Sequence, residues 1–190
     1  MPNWCSTNYA IKCENEELLK KICGAINKCA LTPRVDLMSD PYWVGNVFKE
    51  LGLELKGDRS FWQDAKIEDG VLKFFEYSAW SRGCGVVMLQ EHYLSDNDDD
   101  FLEVYFVSLE LGMGVYETND ESGLFFPERY LWSGPQGEES FDSFEELKEE
   151  VQHVLRVDTD FKNVDEIRKA LAEEEEFEDD SIYEIEFTDL

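Results

Sequence analysis

The cleanest hydrophobic alternation in the chain runs from Leu102 to Leu111. Leu102, Val104, Phe106 and Ser108 alternate with Glu103, Tyr105, Val107 and Leu109, the period of two expected of a strand. Val71–Ala79 reads as a second strand, dense in aromatics at Phe74, Phe75 and Tyr77, and residues 4–13 alternate weakly as an opening strand with Tyr9 and Ile11 on one face. Asp69-Gly70 ahead of Val71 is a hairpin signal. Helical spacing fills the gaps. Asn15 is placed as an N-cap with Glu16 and Glu17 in the first turn, and Leu18, Ile22, Ala25, Ile26 and Cys29 recur at three and four, predicting a helix over 16–29. Ser39-Asp40-Pro41 starts another, with Trp43, Val44, Val47, Phe48 and Leu51 as its apolar stripe and Gly52 as its stop. Residues 52–64 read as a loop from which Phe61 and Trp62 tuck onto the core, and Val86–Tyr93 as a short helix.

Gly112 and Gly114 mark a bend, followed by short strands at Val115–Thr118, Gly123–Phe126 and Arg129–Trp132. Ser133-Gly134-Pro135-Gln136-Gly137 reads as a boundary. Beyond it, Ser143 with Glu146 forms a capping box for a helix over 144–155, Asn163 caps another over 164–176, and Ile182, Glu184 and Glu186 alternate with Tyr183, Ile185 and Phe187 in a last strand. This order of elements describes an α+β fold, an antiparallel sheet with helices packed on one face. A ferredoxin-like split βαβ is its natural small form. The expected organisation is an α+β domain over residues 1–132 and an acidic helical extension over 133–190, ending in a short strand and packed on the same domain.

Composition changes this picture in one respect. Of 190 residues 43% are hydrophobic and 14% aromatic, enough for a real core, but 17 Lys+Arg face 44 Asp+Glu, a formal charge of −27. Residues 1–70 hold 9 basic and 11 acidic side chains, and residues 71–190 hold 8 and 33. Such a field repels phosphate backbones and anionic lipids and attracts cations or basic protein surfaces. It therefore argues against direct nucleic-acid binding and against a membrane surface, and it also serves solubility. Cys5, Cys13, Cys23, Cys29 and Cys84 lack CxxC spacing, so no zinc or iron–sulfur site and no cofactor is expected. Reduced thiols, with no basic leader and no long apolar run, fit a cytoplasmic protein.

Three motifs stand apart: Met1-Pro2-Asn3-Trp4-Cys5-Ser6 at the start, Tyr77-Ser78-Ala79-Trp80-Ser81 at the end of an aromatic strand, and Glu110-Leu111-Gly112-Met113-Gly114-Val115-Tyr116 after the next strand. Together they resemble the YubB-type family found on phages, plasmids and conjugative elements. The resemblance covers about residues 1–132 and implies a ferredoxin-like domain in a mobile-element context, with no activity to carry over. In that family the second motif continues into two prolines, where this chain has Arg82-Gly83.

Candidate chemistry is sparse. Asp96–Asp100 imitates the start of an EF-hand loop, but Phe101 stands for its glycine and Val107 for its bidentate glutamate. His92 and His153 have no motif partner, Cys84 beside Arg82 has no base, and no phosphate-binding glycine loop occurs. Two surfaces remain. Trp4, Trp80, Ser81, Arg82 and Tyr116 gather the three motifs into one interaction surface, pairing an arginine with aromatics as binding hot spots do. Glu173, Glu174, Glu175, Glu176, Glu178, Asp179 and Asp180 form an acidic surface. The expected function is a non-enzymatic module that binds a basic protein partner, nucleic-acid mimicry being its sharpest form. The alternatives are a small Asp/Glu-based metal-dependent hydrolase and a structural or accessory homo-oligomer.

Overall fold

The computed structural model describes residues 4–31, 42–55, 58–94 and 100–190. The expected helix start at Ser39–Pro41, Met1–Asn3 of the opening motif and Asp96–Asp99 of the acidic loop lie outside the described residues. The chain divides into two compact units, Met1–Asn119 with Thr188–Leu190, and Asp120–Phe187.

In the first unit the elements run β1 (Trp4–Lys12), α1 (Glu16–Ala30), α2 (Val44–Leu51), β2 (Ser60–Glu68), β3 (Val71–Ala79), α3 (Gly85–Leu94), β4 (Glu103–Glu110) and β5 (Val115–Thr118). Neighbouring strands lie in the order β2-β3-β1-β4-β5, and each of these pairs is antiparallel. The Asn15 side chain accepts from the N–H groups of Glu17 and Leu18 and starts α1 as its sequence predicts. Gly52 ends α2 at φ +81°, a left-handed cap that glycine adopts without Cβ strain. Asp69 and Gly70, both at positive φ, close the β2–β3 hairpin.

One face of this sheet is covered. Tyr9, Ile11, Trp62, Leu72, Phe74 and Phe106 meet Leu19, Ile22 and Ile26 of α1, Val47 and Phe48 of α2 and Leu89 of α3 in a single core. This bears out the α+β expectation of an antiparallel sheet with helices on one face. The expected loop over 52–64 is corrected: β2 begins at Ser60, and Trp62 is wholly buried. Its alternation is hidden because the register shifts between Gln63 and Lys66, where Asp64 takes φ +58°.

The second unit has its own sheet and core. β6 (Tyr130–Gly134) lies between β7 (Gly137–Phe141) and β8 (Ser181–Glu184), with α4 (Phe144–Leu155) and α5 (Val164–Ala172) packing Leu147, Val151, Ile167 and Leu171 against Trp132, Phe141 and Ile182. Residues 133–137 are therefore the turn of the β6–β7 hairpin, Gly134 pairing with Gly137, and the division between units falls before Asp120. The C-terminal part is a mixed α/β unit and not a helical extension. Three further expectations change. Gly123–Phe126 is not a strand but a loop gathered around the Asp120 carboxylate, which accepts from the Leu124, Phe125 and Phe126 N–H groups. The helix expected to reach 176 stops at Ala172, leaving the four like charges of Glu173–Glu176 to a cap and a 3-10 turn (Glu175–Phe177). The last strand breaks at Ile185, whose N–H donates to the Arg129 carbonyl, before the two-residue β9 (Glu186–Phe187).

Candidate functional site

On the helix-covered face of the first unit the alternating pattern turns polar toward one end of the sheet. Cross-strand register places Trp62, Glu76, Thr7, Ser108 and Glu117 in one row. The next row carries Ser60, Ser78 and Cys5, with Glu110 two residues beyond Ser108 on the same side of β4. Glu76 is wholly buried. Its carboxylate accepts from the Trp62 indole at 2.6 Å and from the Gly83 N–H at 2.8 Å. Burial pushes its pKa up against the pull of both bonds. Thr7 and Ser108 share a hydroxyl–hydroxyl bond of 2.9 Å.

The loop after β3 closes over this end. Trp80 takes φ +66°, a conformation that costs an L-residue about 1–3 kcal/mol, and the chain turns there so that Arg82 reaches back onto the sheet. The Arg82 guanidinium lies 3.7 Å from the Phe106 ring centre, donates to the Asp189 carbonyl at 3.1 Å and pairs with Glu117 at 3.7 Å. Gly83 is required by crowding: a Cβ there would sit 2.8 Å from the Ser60 hydroxyl. A proline at 83 would also lack the N–H that Glu76 accepts. The Cys84 thiol donates to Asp58 at 3.4 Å, and burial followed by the Asp58 charge raises its pKa. That is the reverse of what a nucleophilic thiolate needs.

The surface expected from the three motifs does not assemble. Trp4 and Trp80 are 45% and 52% exposed, and Ser81 is exposed. Arg82 is turned inward, and Tyr116 is buried at 7% exposure. Trp4 belongs to a different feature, a groove of about 400 Å³ that it lines with Tyr42, Phe61, Gln63 and Tyr77. The alternating pattern contained a signal for the polar end: Thr7, Glu76 and Ser108 occupy the inward phase of their strands, where apolar residues are the rule.

The second unit carries a groove of another kind, about 380 Å³, lined by Glu138 and Glu139 of β7, Glu150 of α4, Glu176 of the 3-10 turn and Asp180 beside Trp132 and Phe177. Asp180 is fixed there by the Trp132 indole at 2.6 Å. Of the acidic residues singled out from the sequence, Glu176 and Asp180 line this groove, while Glu173, Glu174, Glu175, Glu178 and Asp179 are exposed. Among the described residues no group of three or more His, Cys, Asp or Glu side chains is arranged to hold a metal ion, and no helix is long and apolar enough to cross a membrane. Compared with family models, with curated proteins and with solved structures, the chain matches none of them.

Proposed function

We propose that the protein is a non-enzymatic interaction module that binds a basic protein partner through the acidic groove of its second unit. The observation that carries this reading is one groove lined by five acidic residues, from β7, α4, the 3-10 turn and the residue before β8, together with Trp132 and Phe177. A lysine or arginine side chain entering it gains charge-assisted hydrogen bonds and can lay its aliphatic stem or its cation against Trp132 and Phe177. The groove sits on a unit whose residues 120–187 hold 23 acidic and 6 basic side chains. That field steers a basic partner toward it. Nucleic-acid mimicry is the sharp form of the same reading, with carboxylates in place of phosphates before a DNA-binding protein. The strand order β2-β3-β1-β4, with helices in both crossovers, supports a ferredoxin-like reading of the first unit, and the three motifs support a YubB-type, mobile-element origin in the cytoplasm.

The test is calorimetric titration of the whole chain with an Arg/Lys-rich peptide at several salt concentrations. Binding is expected to weaken with salt. Glu150→Gln and Glu176→Gln are each expected to weaken it by about two- to five-fold, as loss of one partly exposed charge pair does. Glu16→Gln, on α1 of the other unit, should leave it unchanged. Equal losses from all three variants would reduce the groove to general field and sink the proposal.

A further inference from the structure

We propose that the aromatic groove of the first unit binds a proline-rich segment of a protein partner, held in the polyproline II conformation and flanked by arginine or lysine. The groove, about 400 Å³, is lined by Trp4, Tyr42, Phe61, Gln63 and Tyr77 and shares no lining residue with the acidic groove. Phe61, Gln63 and Tyr77 take the strand phase opposite to the buried Trp62 and Glu76, and Trp4 the phase opposite to the buried Cys5 and Thr7. These four side chains therefore stand on the sheet face turned away from the helices. Phe61 pairs with Tyr77 across β2 and β3, and the Trp4 ring meets Phe61 edge-on at 5.7 Å. Tyr42 is pinned beside them, its carbonyl accepting from the Trp62 N–H at 2.8 Å. Trp4, Tyr42 and Tyr77 are 45%, 37% and 42% exposed. Three large aromatic side chains so far into water around one depression mark a binding surface, where a single exposed ring would not.

The lining selects the occupant. None of the five side chains carries a charge, so a phosphate or carboxylate finds no counter-charge there, and the formal charge of −27 repels both. A sugar asks for a polar side chain at almost every hydroxyl, and Gln63 is the single amide among the described lining residues. A docked amphipathic helix asks for pockets that take its aliphatic anchors, whereas every apolar residue here is a ring. A polyproline II helix asks for what is present. Its pyrrolidine rings lie against flat aromatic faces, and its carbonyls, which make no bonds within the helix, take a few N–H or O–H donors. The Trp4 indole, the Tyr77 hydroxyl and the Gln63 amide are donors of that kind. The helix is preformed, so little ordering entropy is lost on docking, and the strands hold the rings in place beforehand. The charge of −27 then favours proline-rich segments with basic flanks, which it attracts at long range.

The experiment is a fluorescence-anisotropy titration of the full-length protein with a labelled decaproline carrying two arginines at each end. A control peptide has glycine at alternate prolines, which keeps the charge and loses the polyproline II helix. The proline peptide is expected to bind saturably, and the control about ten-fold more weakly. Trp4→Ala and Tyr77→Ala should each lower affinity for the proline peptide about ten-fold, as loss of a hot-spot ring does, and leave the control peptide's binding unchanged. Gln63→Ala removes a donor but no ring, so it should weaken the proline peptide about three-fold and stands in should an aromatic variant fold poorly. Glu150→Gln, in the acidic groove, should affect both peptides alike and preserve their ratio, so the two readings fail separately. Equal binding of the two peptides would reduce the effect to charge and overturn the inference. So would no binding of the proline peptide, an affinity indifferent to both Trp4→Ala and Tyr77→Ala, or capture of maltotriose or oligo-dT in its place.

Discussion

Replacing Glu76 by glutamine tests the electrostatics of the polar end directly. Both carboxylate oxygens of Glu76 are used, one by the Trp62 indole and one by the Gly83 N–H. Glutamine keeps one acceptor oxygen and turns an amide N–H₂ toward the other donor. One buried N–H is then left facing a donor, a cost of about 1–3 kcal/mol that does not depend on pH. The charge acts in the opposite sense. Burial raises the Glu76 pKa above its ordinary value of 4.5 despite the bonds from Gly83 and Trp62. The folded protein thus holds a proton that the unfolded chain has released. Its contribution to stability is full below 4.5 and is lost as pH rises through the folded pKa, by at most about 1.4 kcal/mol for each pH unit. Glutamine carries no such loss, so the deficit of Glu76→Gln relative to wild type should shrink as pH rises from 5. Urea unfolding between pH 5 and 8, followed by tryptophan fluorescence, measures this, since Trp4, Trp43, Trp62 and Trp80 report on the first unit. A deficit that grows with pH would show that Trp62 and Gly83 stabilise the carboxylate more than burial penalises it, and would refute the reasoning.

Asp120 predicts the opposite pH behaviour. Burial raises its pKa, but the N–H groups of Phe125 and Phe126, the Ser122 hydroxyl and the Leu124 N–H outweigh it and hold the carboxylate below its usual 3.8. Asp120→Asn should therefore cost about 1.5–3 kcal/mol at pH 7, a deficit that closes as pH falls below 3.8, read by chemical unfolding of the second unit. Ser143→Ala and Asn163→Ala remove side chains that accept from the Glu146 and Glu166 N–H groups. Each should cost about 0.5–2 kcal/mol, measurable as a lowered urea midpoint with an unchanged slope. Gly85→Ala would place a Cβ 2.8 Å from Trp62 Cζ2 and 3.0 Å from Val44 Cγ2, and overpacking of that kind should lower stability by about 1–3 kcal/mol.

Much of the first unit was legible because its elements obey one period at a time. β4 and β3 alternate, α1 has a capped stripe, and Asp69-Gly70 closes a hairpin, so local pattern and tertiary role agree. β2 was not legible, because the bulge at Asp64 changes which residues face inward halfway along the strand. The boundary was misplaced for a related reason: Gly-Pro-Gln-Gly marks a turn, and whether a turn joins two strands or two units depends on what pairs across it. The polar end was visible as a set of hydrophilic residues keeping the apolar phase. What could not be read was that Arg82 folds back over them, since that depends on a left-handed tryptophan no propensity favours. The acidic run suggested a surface along consecutive residues. The groove instead collects Glu138, Glu139 and Glu150 from elements far along the chain, a juxtaposition that only tertiary packing creates.

The two candidate sites place different demands on stability. An exposed carboxylate such as Glu138 or Glu176 keeps its hydration, so the acidic groove costs the second unit little beyond mutual repulsion, which salt screens. The polar end of the first unit has no such relief. An unsatisfied buried polar atom costs about 1–3 kcal/mol, and a left-handed tryptophan about as much again, so the Tyr9, Ser60, Arg82 and Glu110 atoms with Trp80 together rival the about 5–15 kcal/mol by which a domain is stable at all. These costs are offset by the core they adjoin, where Trp62, Leu72, Phe74 and Phe106 pack against the helices.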